Sequence, residues 1–471
     1  MHSFLSKIFD PSTGTVLDDA CPYSIRSIRQ FCEYFYKLAL ATSDEEKMLG
    51  EQKYVENERV VNAFEPCSDW TESLRKNLET YYPDFCRTPI HSVFAEHRPR
   101  FGPGAFAERV PNKTLHKLKA SHIIGSTNRE MAPFSGYFKS YPSSPEDANA
   151  FVGVDKTSVV TFVAKDARGP RVISMEPMHL LRSQMSYLDW SIKTLQEATD
   201  GRIQFVDQSK NNELARAASI DRKKATLDLK DASDRVSFKF VNRIFRNTLA
   251  PRFFLQNLRS THTKLPSGTT IKLAKVAGMG SGLTFPTMSL LIHLSICSLV
   301  SARNGVPYDK VMRSVYVYGD DVIVPTCWYN IAVTALQQSG LLVNEQKSFF
   351  RSHFRESCGG DFYKGSLVTP CKLRLDKVDL LSASHYKRFL RLDNPSAVYK
   401  LYAHTRELLK VGMLNTKKYL DSLLRKAFDM HYPKVTGDSP LCGEYVEDMI
   451  CKDDVQVTAY TLTPVRSKSA L

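Results

Sequence analysis

Between Ser314 and Thr326 the chain reads Ser-Val-Tyr-Val-Tyr-Gly-Asp-Asp-Val-Ile-Val-Pro-Thr, and this run narrows the possible folds more than any other. Residues 315–318 and 322–324 are β-branched or aromatic, and Gly319-Asp320-Asp321 between them is turn chemistry, so the stretch predicts a tight hairpin. The flanking runs are too apolar for a surface, which predicts a buried hairpin whose charged tip opens into a cleft. Side chains alternate in a straight strand, but the alternation breaks down in a turn, so Asp320 and Asp321 can both reach one cation. A Gly-Asp pair without such strands is usually an ordinary surface turn.

Composition agrees with a large folded chain that meets a polyanion. The 471 residues are 42% hydrophobic and 24% charged, and the formal net charge is +14. Lys and Arg are spread along the whole chain rather than gathered on one amphipathic helix, which favours nucleic acid over a membrane surface. Ten cysteines form no Cys-x-x-Cys pair and no histidine cluster has zinc spacing, so reduced thiols in a cytosolic protein are expected. The first residues lack a basic region followed by an apolar run, so no secretion signal is expected. Residues 283–300 are the longest apolar stretch, but Pro286, His293 and several hydroxyl residues interrupt it, which predicts a buried helix rather than a membrane span.

The first hundred residues carry helical periodicity. Ile25, Ile28, Phe31, Cys32, Phe35 and Leu38 recur at helix spacing and are expected in the core, and Ser43 with Glu46 forms a capping box. Phe101-Gly-Pro-Gly-Ala105 must be a loop, and residues 133–150 form a second one rich in Pro, Ser and Gly. Residues 159–177 hold two apolar strand-like runs around Lys165, Arg168 and Arg171, a hairpin with three cations at its tip. A helix is expected over residues 179–197.

A third acid stands out in Lys224-Ala-Thr-Leu-Asp-Leu-Lys-Asp-Ala-Ser-Asp-Arg-Val-Ser237. A strand over residues 225–229 is expected to contain Asp228, followed by a helix over residues 235–249 with Val236, Phe240, Val241, Ile244 and Phe245 on its apolar face. Asp231, Ser233 and Asp234 are explained as turn and cap residues. Asp228 is not, since an acid in an apolar strand is costly unless a cation meets it. Further on, Lys275-Val-Ala-Gly-Met-Gly-Ser-Gly-Leu-Thr-Phe-Pro286 is a flexible loop at a helix start that is expected to leave the hydroxyls of Ser281 and Thr284 free for a ligand. Residues 331–339 read as a helix, after which Lys347 in Asn-Glu-Gln-Lys-Ser is by itself an ordinary surface lysine.

Taken in order, these stretches and Phe354-Arg-Glu-Ser-Cys-Gly-Gly-Asp-Phe-Tyr-Lys-Gly365 resemble the replicases of leviviruses, the single-stranded RNA bacteriophages, over roughly residues 100–375. The resemblance implies an α+β right-hand polymerase. Its parts would be an N-terminal region and fingers over residues 1–220, a palm of antiparallel sheet plus helices over 221–375, and a helical thumb and tail over 376–471, with thumb helices around Asn394-Pro395 and around Tyr419 and Leu420. It implies an RNA-directed RNA polymerase in which Asp228, Asp320 and Asp321 bind two Mg²⁺ ions, or Mn²⁺, and Lys347 protonates departing pyrophosphate. Lys165, Arg168 and Arg171 would hold the triphosphate of the nucleotide, while Asp234, Ser281 and Thr284 would contact its ribose. Ser281 departs from the family, where Asn is expected between the glycines. Implied partners are RNA template and product, nucleoside triphosphates, host elongation factors Tu and Ts and a small-subunit ribosomal protein, all in the cytoplasm of the bacterial host. Two rival readings are a reverse transcriptase, which shares the paired-acid hairpin, and an RNA-binding protein on an inactive polymerase scaffold.

Overall fold

In the computed structural model the described residues are 2–37, 42–102, 104–109, 156–166, 169–373, 403–409, 411–428, 434–436 and 444–446. They form an α+β chain of helices and small sheets. By contacts the chain divides into two units, one made of Met1–Glu46, Ala164–Arg171 and Val368–Leu471, the other of Lys47–Val163 and Val172–Leu367.

The second unit holds the large core. Its strands are β1 (Thr157–Asp166, whose last three residues belong to the first unit), β2 (Gly169–Met175, whose first three residues belong to the first unit), β3 (Ile203–Gln204), β4 (Lys224–Leu227), β5 (Leu229–Lys230), β6 (His262–Lys264) and β7 (Thr270–Lys272). They continue with β8 (Tyr316–Tyr318), β9 (Asp321–Pro325), β10 (Leu342–Val343), β11 (Phe354–Ser357), β12 (Gly360–Tyr363) and β13 (Ser366–Leu367). The central sheet has the order β3-β8-β9-β4, with β8–β9 and β9–β4 antiparallel. Val317, Val322, Ile323, Val324, Ala225 and Leu227 on these strands are buried, as the apolar runs require.

The helix Thr284–Asn304 is covered along most of its length, with Leu290, Leu291, Ile292, Leu294 and Ile296 all buried. It is long and apolar enough to cross a membrane, yet 83% of its most apolar window lies inside the protein. Its polar side chains are satisfied there: Asn77 Nδ2 donates to Ser298 Oγ at 2.9 Å, Ser295 and Ser339 share a hydrogen bond of 2.7 Å, and Tyr82 Oη lies 2.7 Å from His293 Nδ1. A buried helix, as the interrupted apolar run predicts, is what forms.

The N-terminal stretch is helical over Pro22–Glu33, Asp44–Ala63, Ser68–Tyr81, Pro83–Arg87 and Ile90–Glu96. The capping box is present: Ser43 N–H donates to Glu46 Oε2 at 2.7 Å and Glu46 N–H to Ser43 Oγ at 3.1 Å. The first periodic stripe does not become core, however. Ile25 is buried, but Phe31 and Phe35 are 74% and 60% exposed and Cys32 is exposed; Leu38 lies outside the described residues. The face this helix buries is instead fixed by Gln30, whose side-chain amide exchanges two hydrogen bonds with the Cys371 backbone, at 2.6 and 2.7 Å.

Two other expectations are corrected. The helix expected over residues 235–249 is interrupted, because Val236 and Ser237 stay extended where the Phe238 N–H donates to the Ala274 carbonyl and the Val276 N–H to the Val236 carbonyl; helix resumes at Phe238–Ile244 with Ser237 as its N-cap. The strand around Asp228 also breaks, pairing with β9 before that residue and with β10 after it. The expected loop at residues 133–150, the helix start at Asn394-Pro395 and the tail from Lys452 lie outside the described residues. Helix Leu414–Phe428 carries an ion pair between Lys417 and Asp421 of 2.6 Å, with Tyr419 exposed. The described cysteines are all free thiols.

Candidate active site

The β8–β9 hairpin closes at the pair Tyr318–Asp321, so its turn is Gly319-Asp320 and Asp321 is the first residue of the returning strand. Gly319 has φ +63°, and a Cβ there would stand 2.5 Å from Phe285 Cε2. A two-residue turn with its first residue at positive φ calls for glycine, and here the neighbouring ring leaves no room for anything larger.

Strand β4 pairs with β9 so that Leu227 faces Val322. One step further along the same register, Asp228 falls opposite Asp321, which brings acids 93 residues apart in sequence to adjoining positions at one end of the sheet. Asp228 sits where β4 gives way to β5, and the turn that follows β10, the partner of β5, holds it there. Asn344 N–H donates to the Asp228 carbonyl at 2.8 Å, Asn344 Nδ2 donates to Asp228 Oδ2 at 2.8 Å, and Asp228 N–H donates to Ser348 Oγ at 3.2 Å. Ser348 Oγ in turn donates to the Asn344 carbonyl at 2.8 Å. The reading of the sequence missed both residues; the only local signal is an asparagine following a short apolar strand.

Lys347 lies in the same turn, half exposed, with Nζ 3.8 Å from Glu356 Oε1 on β11. The Asp321 carboxyl is pushed up to about 7, by burial first and then by the like charge of Asp320, with smaller contributions from Asp228 and Glu356. Donation from the Cys358 backbone works the other way. The Cys358 thiol is itself pushed up to about 12 by burial and by Asp321. Among the described residues no three or more His, Cys, Asp or Glu side chains already stand together as a closed metal-ligand group. The acids that do converge are nevertheless all carboxylates, the hard oxygen donors that Mg²⁺ takes, and a divalent cation would relieve the repulsion felt by Asp321.

The remaining candidate residues divide. Asp234 Oδ1 accepts from Lys275 Nζ at 2.7 Å while the Asp234 side chain stays 18% exposed. Ser281 and Thr284 are buried and engaged internally, against the expectation of free hydroxyls: Ser281 Oγ donates to Gln184 Oε1 at 2.8 Å and Thr284 Oγ1 to the Gly278 carbonyl at 2.9 Å. The tight packing of this loop explains why, since a Cβ on Gly280 would meet the Ser174 carbonyl at 2.3 Å and one on Gly282 the Gln184 carbonyl at 2.9 Å. Lys165, Arg168 and Arg171 belong to the first unit; β1 and β2 form the expected hairpin and Arg171 is exposed on it. The side chain of Lys165 and the whole of Arg168 lie outside the described residues.

The sheet is mixed, β3–β8 being parallel rather than antiparallel as expected, and it carries the Gly-Asp-Asp hairpin with a third acid in register beside it, the arrangement that the resemblance to replicases implies. The profile of the RNA replicase, beta-chain family matches residues 94–384, and the chain belongs to that family. Among its relatives, the RNA-directed RNA polymerase subunit beta of Qbeta virus (strain MX1) is 32% identical over 272 residues, covering 55% of this chain and 44% of the relative. The RNA-directed RNA polymerase beta chain of Escherichia phage MS2 is 34% identical over 216 residues, covering 45% of this chain and 36% of the relative. The chain thus spans less than half the length of the curated relatives it matches.

Proposed function

We propose that this chain is an RNA-directed RNA polymerase that copies a single-stranded RNA phage genome in the cytoplasm of its bacterial host. The observation that carries the reading is the register that sets Asp228 opposite Asp321, one residue from Asp320. Family membership and the basic balance of the chain support the same substrate class. In this reading the sheet β3-β8-β9-β4 with its covering helices is the palm, the N-terminal region supplies fingers and the C-terminal helices the thumb.

Asp228, Asp320 and Asp321 would hold two Mg²⁺ ions, or Mn²⁺, which when bound favour the ionised 3′-hydroxyl and offset charge on the leaving oxygen. The protein's own groups do the rest. Asn344 and Ser348 fix the backbone and carboxylate of Asp228, so that its orientation is set before substrate arrives. Lys347, on that same turn, donates a proton to departing pyrophosphate. Asp234 reads the ribose hydroxyls with the carboxylate surface it keeps exposed. Lys165, Arg168 and Arg171 neutralise the triphosphate. The relatives are named as beta subunits, and host elongation factors Tu and Ts with a small-subunit ribosomal protein are the partners we propose by resemblance.

Template-directed extension of an RNA primer with Mg²⁺ tests the reading. Asp320→Asn should abolish incorporation and leave RNA binding within about twofold, because the removed charge serves chemistry rather than the duplex. An active Asn variant would refute the assignment. Extension by deoxyribonucleotides in preference to ribonucleotides would turn the reading to a reverse transcriptase.

A further inference from the structure

Lys275 is fully buried, yet its ammonium lies among two carboxylates and an aromatic ring. Nζ is 2.7 Å from Asp234 Oδ1, 3.0 Å from Glu58 Oε1 and 3.6 Å from the centroid of the Tyr54 ring. Every member of the cluster is tied down in turn. Glu58 Oε2 accepts the Ala274 N–H at 2.7 Å, Tyr54 Oη lies 3.2 Å from Ser174 Oγ, and Lys275 bridges to Ser237 in the short extended pairing that interrupts the helix after Asp234. Lys53, beside Tyr54 on the helix Asp44–Ala63, reaches Asp231 at 2.6 Å. One helix of the N-terminal region therefore grips the segment after Asp228 at two acids, through Lys53 directly and through Lys275. Glu58 and Lys275 are buried, so solvent does not weaken the pairing; Asp234 alone of the three keeps a water-facing side.

A buried ion cluster contributes little net stability compared with apolar packing, but it holds its members in one geometry. We propose that Lys275 is a positioning residue for substrate selection: it fixes Asp234 in the orientation that reads the ribose hydroxyls, so that discrimination between ribonucleoside and deoxyribonucleoside triphosphates depends on it. This rests on the polymerase reading given above. A site built to bond a hydroxyl rejects the analogue lacking it because its own polar group is left unpaired, and that penalty requires a carboxylate that cannot turn aside.

The experiment measures kcat/KM for a ribonucleotide and for its deoxy analogue with wild type, Asp234→Ala, Lys275→Met and the double variant Lys275→Met/Glu58→Leu. The double variant removes the unpaired buried carboxylate and stays foldable where the single one fails. Both Lys275 variants should lose at least about tenfold of the discrimination ratio, the size of one charge-assisted hydrogen bond, in the same direction as Asp234→Ala. A merely structural role would lower both nucleotides in parallel and leave the ratio alone. A soluble Lys275 variant with the wild-type ratio, beside an Asp234→Ala that loses it, overturns this inference and spares the polymerase. A wild-type chain that incorporates neither nucleotide overturns both.

Discussion

Asn344 holds Asp228 twice, through its backbone N–H on the Asp228 carbonyl and through its side-chain amide on Oδ2, each at 2.8 Å. A carboxylate whose Oδ2 is already hydrogen-bonded is held in its orientation, and the group that holds it lies 116 residues away in sequence.

Removing the amide should therefore loosen the acid without removing it. Asn344→Ala is expected to cost about 1 kcal/mol of stability. It should also lower incorporation roughly 10–100-fold with a raised Mg²⁺ requirement, as loss of outer-shell support does at metal sites. Rates titrated against Mg²⁺ check this; a variant with wild-type Mg²⁺ dependence would show that the clamp is idle.

The raised Asp321 carboxyl predicts a pH effect of definite sign. Its folded value is about 7 against 3.8 for the free side chain, so the folded state holds a proton that the unfolded state has released. That contribution to stability is complete below about pH 4 and is lost as pH rises through 7. In chelator, Asp321→Asn should raise the melting temperature at pH 8 and change it little at pH 4. Equal shifts at both values would mean that burial and the neighbouring acids do not raise the Asp321 carboxyl in the folded protein.

Gly319→Ala strains the turn twice, by forcing alanine to φ +63° and by driving its Cβ to within 2.5 Å of Phe285 Cε2. A loss of about 2 kcal/mol is expected from denaturant unfolding, together with loss of incorporation as Asp320 and Asp321 are displaced. A stable, fully active variant would require a differently shaped turn.

Lys347→Leu should slow incorporation about 100-fold, the scale of a lost general acid, while RNA affinity changes little. Single-turnover measurements separate the two. An unchanged rate would remove Lys347 from the chemistry.

The hairpin, the basic strand pair and the helix Thr284–Asn304 were legible in the sequence because each is written in adjacent residues: β-branched runs around Gly-Asp-Asp, two apolar runs around cations, and an apolar stretch broken by residues that the core later satisfies. Asp228 was legible as an anomaly, an acid in an apolar strand, but its holders were not. Asn344 and Ser348 lie more than a hundred residues away, and nothing local to them distinguishes a clamp from a loop. Phe31 and Phe35 show the opposite failure, since periodicity marks a stripe without saying whether anything covers it, and Gln30 took the buried face through the Cys371 backbone. Ser281 and Thr284 misled because a glycine-rich loop can be tight as well as open, and this one lies against Ser174 and Gln184.

The helix Thr284–Asn304 has a consequence for how the protein is made. It leaves the ribosome before the helix Tyr329–Gln338 and the strand β8 that pack beside it, so for several dozen residues of translation a segment fit for a lipid bilayer waits half-clothed. A nascent chain stalled before Gln338 should therefore be a client of trigger-factor-like holdases and prone to precipitate, whereas one that clears that point closes its own greasy flank.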